Sequence, residues 1–422
     1  MRKGRFGRGV AVVGAGMSKF GVRPGVSNRE MFVEAFKEMR ASVEKGIDPK
    51  EIEANYVGSC GAWNWETQAG IAKWCTDWTG LVPIPHTTVD NACASASGAI
   101  RNAVLGIASG MYDVVLAGGT EKMTTFPTEE TTLVLATGGD AVWESYAGFT
   151  FPGLYAVMAT AHMHEYGTIP EDLMSVAIKN HNNGALNPGA QFNASIKDVM
   201  KRRAARAKEK GRPVPKWTDE MDFLHDSNYN PYVAWPLRLF DCCPITDGAS
   251  CVLLAAEEVA KKFTDVPIYV IGSGQASGKA LHNRESLTSI PASKIAAKQA
   301  YEMAGVGPED IKIAEVHDCF TIAEIMAIAD LGFFKPGKEA ARAAAEGRTA
   351  LKGEKPINTS GGLKSKGHPV GATGAGMVVE IFKQMRGEAS QRQVRNMDLD
   401  LTLTHNVGAH GTSVVVQIYE RR

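Results

Sequence analysis

Cysteine is scarce and unpatterned in this chain. The seven present (Cys60, Cys75, Cys93, Cys242, Cys243, Cys251 and Cys319) are an odd set with no C-x-x-C spacing. That excludes a secreted disulfide framework and a zinc ribbon, and predicts reduced thiols. An excess of one charge is also lacking: 46 Lys plus Arg balance 46 Asp plus Glu, so no net field draws the protein to nucleic acid or to an anionic membrane. No apolar run approaches the roughly 18 residues of a membrane span. The nearest, Val10 to Val13, is broken by Gly14 and Gly16 and predicts a buried strand. The basic start (Met1, Arg2, Lys3, Arg5, Arg8) precedes an apolar stretch too brief for a signal-peptide core, and Tyr419-Glu420-Arg421-Arg422 is not the peroxisomal S-K-L address. A cytoplasmic protein is expected.

What is there is an ordinary globular composition, 44% hydrophobic and 22% charged, in a length that predicts two to three domains at roughly 150 residues each. The apolar runs repeat a plan. Val10 to Val13 leads to Gly14-Ala15-Gly16, and Ile268 to Ile271 leads to Gly272-Ser273-Gly274. Helical segments follow, about 28 to 45 and 292 to 304. Next come proline-led acidic helix starts at Pro49 and Pro308, then strands (Tyr56 to Gly58; Ile313 to Val316) running to Cys60 and Cys319. Strands alternating with helices predict an α/β protein of two related halves, with parallel sheets covered by helices. The expected halves are 1–265, with an inserted loop domain at about 121–250, and 266–422.

Two glycine-rich segments are not nucleotide sites. Gly14-x-Gly16 lacks the third glycine of the dinucleotide fingerprint, position 19 being Lys19, and Gly362 to His368 has a histidine where a phosphate loop needs lysine. His162 and His164 are two apart and point to different faces of a helix, so no metal is expected there. The basic stretch Met200 to Lys216 reads as a solvated helix and turn, with a phosphate or acidic-partner patch as the alternative. Trp63, Trp65, Trp74 and Trp78 read as core or subunit-interface packing rather than a substrate wall.

Chemistry concentrates around Val89-Asp90-Asn91-Ala92-Cys93-Ala94-Ser95, where a strand ends and a helix of small residues begins. A helix N-terminus presents unpaired N–H groups and a positive dipole end, which favour a thiolate and can hold an oxyanion. The bland alternative is a small core cysteine. Three more segments weigh against that: Glu315-Val316-His317-Asp318-Cys319-Phe320, Gly367-His368-Pro369, and His405-Asn406-Val407-Gly408-Ala409-His410-Gly411. Enzymes built on parallel sheets assemble their sites at such strand ends.

These segments resemble the thiolase family over nearly the whole chain, together with Ala117-Gly118-Gly119-Thr120-Glu121-Lys122-Met123 and Asp241-Cys242-Cys243-Pro244. The His317-Asp318-Cys319-Phe320 loop is similar to that of the sterol-carrier-protein-2 type and its bacterial and archaeal acetyl-CoA acetyltransferase relatives. The resemblance implies a five-layered α/β/α/β/α core of two βαβαβαββ halves, a loop domain over the site, and a homodimer or tetramer. It implies acyl-CoA and CoA as substrates, with CoA a co-substrate and no permanently bound cofactor or metal. Cys93 is then the nucleophile, His368 its base and His317 a partner of the enolate oxygen. The N–H groups of Cys93 and of Val407 or Gly408 form a second oxyanion hole, and Met158 lines CoA. Many thiolases carry a cysteine near the C-terminus as second acid/base. This chain has His405-Asn406-Val407-Gly408 there, so the role passes to Cys319, with His405 the alternative. A decarboxylating condensing enzyme and a non-catalytic lipid-binding subunit are the competing readings. A small zinc-ribbon and OB-fold protein is a further possible partner.

Overall fold

The computed structural model describes residues 7–422; the basic start, Met1, Arg2, Lys3 and Arg5, lies outside the described residues. In chain order the strands are β1 (Val10–Met17), β2 (Ala54–Gly58), β3 (His86–Val89), β4 (Val114–Lys122), β5 (Tyr232–Ala234), β6 (Leu237–Arg238), β7 (Asp247–Ala256), β8 (Ile268–Ser277), β9 (Ile313–Val316), β10 (Leu401–Gly408) and β11 (Ser413–Arg421). All but the β5–β6 hairpin join one mixed sheet, in the order β3-β2-β4-β7-β1-β8-β11-β10-β9.

That order contains the expected repeat. Outward from the β1–β8 seam, one side reads β1-β7-β4-β2-β3 and the other β8-β11-β10-β9, so each strand of the first half has a counterpart in the second except β3. Where β3 would repeat, the chain contributes only a parallel bridge from Ala314 to Ile357. The halves meet through two antiparallel pairs, Ala11 with Tyr269 and Val12 with Ile268.

Alternation along β1 sorts the layers, because successive side chains of a strand point to opposite faces. Ala11 and Val13 pack outward with Met31, Phe32 and Phe36 of the Asn28–Ser42 helix. Val10, Val12 and, past a bulge between Val12 and Gly14 that reverses the alternation, Ala15 pack inward with Ile100 and Val104 of the Ser95–Ala108 helix and Val378 and Ile381 of the Thr373–Met385 helix. Across the other half-sheet, Val414, Val416 and Ile418 of β11 pack with Ala296 and Ala300 of the Pro291–Ala304 helix, while Tyr419 turns to the inner layer. Two helices are therefore sandwiched between the half-sheets. Both turn small or apolar residues to the layer they share, and their larger polar residues, Arg101 and Asn102 in one and Glu380, Lys383 and Gln384 in the other, lie past their first turns.

The paired glycine motifs are packing devices. They lie inside β1 and β8 rather than in turns after them. A Cβ on Gly16 would sit 2.1 Å from Met39 N and 2.5 Å from Ala35 O, and one on Gly274 would sit 1.9 Å from Ala296 O. Each glycine lets a covering helix lie directly against its strand. The proline-led acidic segments differ from expectation too: Pro49–Glu51 forms a single 3-10 turn, and the Pro308 segment forms turns only. Both are too short to nucleate a stable α-helix on their own.

Between β4 and β7 the chain leaves the sheet and forms helices and the β5–β6 hairpin. Its basic part is the Ile196–Glu209 helix and the turn after it, with Lys201, Arg202 and Arg203 exposed. No described helix is long and apolar enough to cross a membrane. If the β1 glycines serve packing, Gly16→Ala will lower the melting temperature by a loss of about 1–3 kcal/mol. Dinucleotide binding will be absent in both proteins, as calorimetry will show.

Candidate active site

Cys93 stands just ahead of the Ser95–Ala108 helix, in a turn where Ala92 takes a left-handed φ of 49°. Such a conformation costs a non-glycine residue on the order of 1–3 kcal/mol, and it persists only where surrounding structure enforces it. The Asn91 N–H donates to Ser95 Oγ (2.9 Å), whose hydroxyl donates to Ala92 O (2.6 Å), and this locks the turn. Cys93 is 8% exposed and clusters with Trp65, Met123 and Val370. Glu121 holds Trp65 in place indirectly: its carboxylate accepts from Cys60 N (2.7 Å), Ser59 Oγ (2.9 Å) and Gly61 N (3.2 Å), pinning the turn before Trp65.

The fold brings both predicted histidines to Cys93. The donor atoms of Cys93, His317 and His368 lie within 4.8 Å of one another, and the imidazoles meet edge to face with centroids 5.2 Å apart. Neither Nε2 has a hydrogen-bond partner, so both are free for a substrate.

Hydrogen bonds to the opposite ring nitrogens give the two rings opposite roles. Thr373 Oγ1 donates to Pro369 O (2.9 Å) and so accepts from His368 Nδ1–H at 2.6 Å. His368 Nε2 then carries a lone pair and is a base. Ser97 Oγ donates to Asn406 Oδ1 (2.9 Å), which leaves the Asn406 amide N–H to donate to His317 Nδ1 at 3.1 Å. His317 Nε2 then carries the proton and is a donor.

Burial governs the titration. It drives His368 down to about 3, with Lys366 adding to the effect, and holds His317 well below its ordinary value, so both rings rest neutral. It also pushes the Cys93 thiol up to about 12. The helix-end thiolate expected from the sequence is thus outweighed by desolvation, although the N–H groups of Ala409 and of Cys93 itself favour the charged sulfur. A thiol held this high ionises only with a base beside it, and the His368 imidazole, with its Nε2 unpartnered, lies within that 4.8 Å cluster.

Other predicted residues fall differently. Cys319 shares a cavity of about 560 Å³ with Cys93 and His368, its walls largely apolar. Burial raises the Cys319 thiol, whereas the Tyr155 hydroxyl favours its thiolate. His405 does not line that cavity; its Nε2 pairs with Ser293 Oγ at 2.8 Å. Met158 does not line it either, being fully buried with its sulfur against Arg284 Nη1 at 3.6 Å. Its expected contact with CoA is therefore not made through this cavity. Val407 and Gly408 belong to β10, and the N–H that reaches Cys93 is that of Ala409, just beyond the strand and itself left-handed at φ 54°. Of the tryptophans, Trp65 is core and Trp63 and Trp78 are exposed. His162 is buried against Thr168 while His164 faces out, as their spacing predicts. The basic helix does not line the cavity.

Sequence reasoning missed Thr373, Asn406, Ala409, Tyr155 and Glu121. Thr373, Asn406 and Ala409 lie inside motifs that carry the catalytic candidates, but only contact shows their work.

The Thiolase N-terminal domain family matches residues 10–258, and the Thiolase C-terminal domain-like family matches residues 273–421. The chain belongs to the thiolase family. An acetyl-CoA acetyltransferase of Methanothermobacter thermautotrophicus is 42% identical over 98% of this chain and 100% of that protein. Benzoylsuccinyl-CoA thiolase subunit BbsB of Thauera aromatica is 32% identical over 95% of each. Human sterol carrier protein 2 is 30% identical over 98% of this chain and 72% of that one. A solved structure described as an Ltp2-ChsH2(DUF35) aldolase has the same fold, with a TM-score of 0.76 at 23% identity and 97% coverage of both chains. This thiolase is an acyltransferase.

Two predictions follow from the site. Thr373→Val and Asn406→Ala each strand a buried imidazole nitrogen, a loss of about 1–3 kcal/mol; kcat/KM for thiolysis will fall about ten- to a hundredfold, with the fold retained by circular dichroism. Burial raises Glu121 from an ordinary 4.5 to about 7. The folded state therefore holds an extra proton between those values, and stability falls as pH rises through that window. Denaturant titration will show wild type losing ground to Glu121→Gln as pH rises from about 4.5 to about 7, with no further change above.

Proposed function

We propose that this thiolase cleaves a 3-oxoacyl-CoA with CoA, or runs the reverse Claisen condensation, through an acyl group carried on Cys93. The observation that carries this reading is the set of three free donor atoms on Cys93, His317 and His368 within 4.8 Å, in a cavity that Cys319 also lines.

In the cleavage direction His368 Nε2 takes the Cys93 proton as sulfur attacks the 3-oxo carbon. The N–H groups of Cys93 and Ala409 hold the oxyanion formed there. Collapse breaks the bond between carbons 2 and 3 and leaves an acetyl-CoA enolate, whose oxygen is held by His317 Nε2–H and the newly protonated His368. Cys319 gives its proton to the enolate carbon and becomes a thiolate, which the Tyr155 hydroxyl stabilises. That thiolate then takes the proton of the incoming CoA thiol. CoA sulfur attacks the thioester, and Cys93 leaves and recovers its proton from His368. Sulfur is both a good nucleophile and a good leaving group, so the sequence runs either way. Cys319 is preferred over His405 because it lines the cavity, whereas His405 is engaged with Ser293.

A homodimer or tetramer is the expected assembly. It is supported by β3, a sheet edge whose residues His86, Thr87 and Thr88 are exposed and ready to pair with a second copy. A small zinc-ribbon and OB-fold protein is the further partner in this reading, in line with a solved neighbour described as an Ltp2-ChsH2(DUF35) aldolase; full turnover by the chain purified alone would remove it. The free state of all seven cysteines supports a cytoplasmic location.

The test is a panel of 3-oxoacyl-CoA substrates with CoA, followed by mass spectrometry of intact protein and peptides. An acyl adduct on Cys93 is expected, and its absence from Cys93 during turnover would sink the proposal. Cys319→Ala will lower thiolysis by about a hundred- to ten-thousandfold, while His405→Ala stays within about tenfold of wild type. The reverse ranking would transfer the acid/base role to His405.

A further inference from the structure

We propose that Cys93, His317 and His368 also form a reversible binding site for zinc, and that the bound ion shuts the enzyme off. The inhibition rests on the catalytic reading above; the binding does not. The sequence has no metal motif because the three donors come from three loops far apart in the chain.

Four observations converge. One thiol and two imidazoles lie within 4.8 Å of one another. Tetrahedral zinc, with bonds of about 2.3 Å to sulfur and about 2.0 Å to nitrogen, spaces its ligands about 3.3–3.6 Å apart, so closing around an ion needs side-chain shifts of about 1 Å. Both Nε2 atoms are buried and have no partner, which leaves donors aimed at a common point with nothing to satisfy them. Each ring is held from behind, His368 by Thr373 and His317 by Asn406, and such backing orients metal-bound histidines elsewhere. Finally, the donor set is sulfur and nitrogen, which suits zinc and disfavours magnesium or calcium, and no carboxylate joins it among the described residues. The fourth position faces the cavity and is open to water.

The protons balance without redox chemistry. Zinc replaces the Cys93 thiol proton, which leaves through the cavity. His317 moves its proton from Nε2 to Nδ1. Asn406 turns its amide end for end, so that Oδ1 accepts from Nδ1–H while Nδ2 donates to Ser97 Oγ, and the two hydrogen bonds seen at rest are kept with reversed polarity. One proton is released per ion. An acylated Cys93 has no thiolate to offer, so zinc and the acyl group exclude each other, and inhibition is relieved by excess acyl donor.

Cobalt(II) is the probe for the full-length protein. One cobalt per chain is expected, with a sulfur-to-cobalt charge-transfer band, displaced by zinc. Thiolysis should be inhibited over the same range of free zinc and restored by EDTA. Cys93→Ala will abolish the band. His317→Ala and the gentler His317→Gln will each weaken binding at least tenfold, and Cys319→Ala, a second thiol of the same cavity, will leave it intact. Absence of the band in active enzyme, binding indifferent to both His317 variants, or binding lost in Cys319→Ala would each overturn the proposal. A preparation that shows the one-to-one band but never acylates Cys93 would support the metal site and refute the catalytic reading.

Discussion

The structure turns on one close contact between two buried helices. Where the Thr373–Met385 helix crosses the Ser95–Ala108 helix, a Cβ on Gly374 would lie 2.1 Å from Ser97 Oγ, 2.6 Å from Ser97 N and 2.7 Å from Asn406 Oδ1. Only glycine leaves that space. Because it does, Ser97 can reach Asn406, and Asn406 can reach His317. The same contact fixes the starts of both helices, and those starts carry Cys93 and His368. Small residues along the Ser95–Ala108 helix are therefore not filler; they set the distance between the Cys93 sulfur and two imidazoles.

Symmetry explains why the contact falls at the site. The two sandwiched helices occupy equivalent places in two halves with the same strand order, so both N-termini open at one end of the sheet. Divergence between the halves makes the chemistry. The first half keeps β3 and ends it at the turn that holds Cys93. The second reduces the corresponding strand to a bridge at Ile357 and spends the following residues on a short buried helix, Gly362–Lys366, and the loop after it that carries His368. Asp318 ties that helix to the neighbouring loop by accepting from Leu363 N (2.7 Å) and from Asn180 Nδ2 (2.7 Å). It pins the loop that carries His317 to the one that carries His368.

Electrostatics here follow from dryness. A helix end lowers a thiol only as far as solvent or donors support the charge, and Cys93 has little solvent. Desolvation leaves thiol and imidazoles all neutral at rest, which keeps three polar groups together in an apolar pocket without the larger cost of a buried ion pair. In the proposed mechanism, charge develops only once a substrate carbonyl enters the pocket.

Much of this was legible in the sequence. The repeat showed in recurring strand, glycine and proline-led segments, and the four catalytic loops showed as cysteine or histidine at strand ends, with a family resemblance to place them. Gly14-x-Gly16 marked something unusual, yet the motif alone could not separate a nucleotide turn from a strand in contact with a helix, since both need a missing Cβ. The burial of Met158, the approach of Ala409 N–H to Cys93, and the placing of Cys319 but not His405 on the cavity came from tertiary structure. So were the opposite protonation patterns of His317 and His368. The physical reason is common to all of them: which nitrogen holds a proton, which N–H faces a sulfur and which side chain reaches a cavity depend on neighbours tens to hundreds of residues away. Residue types and local spacing set what chemistry is available, and folding selects which of it is used.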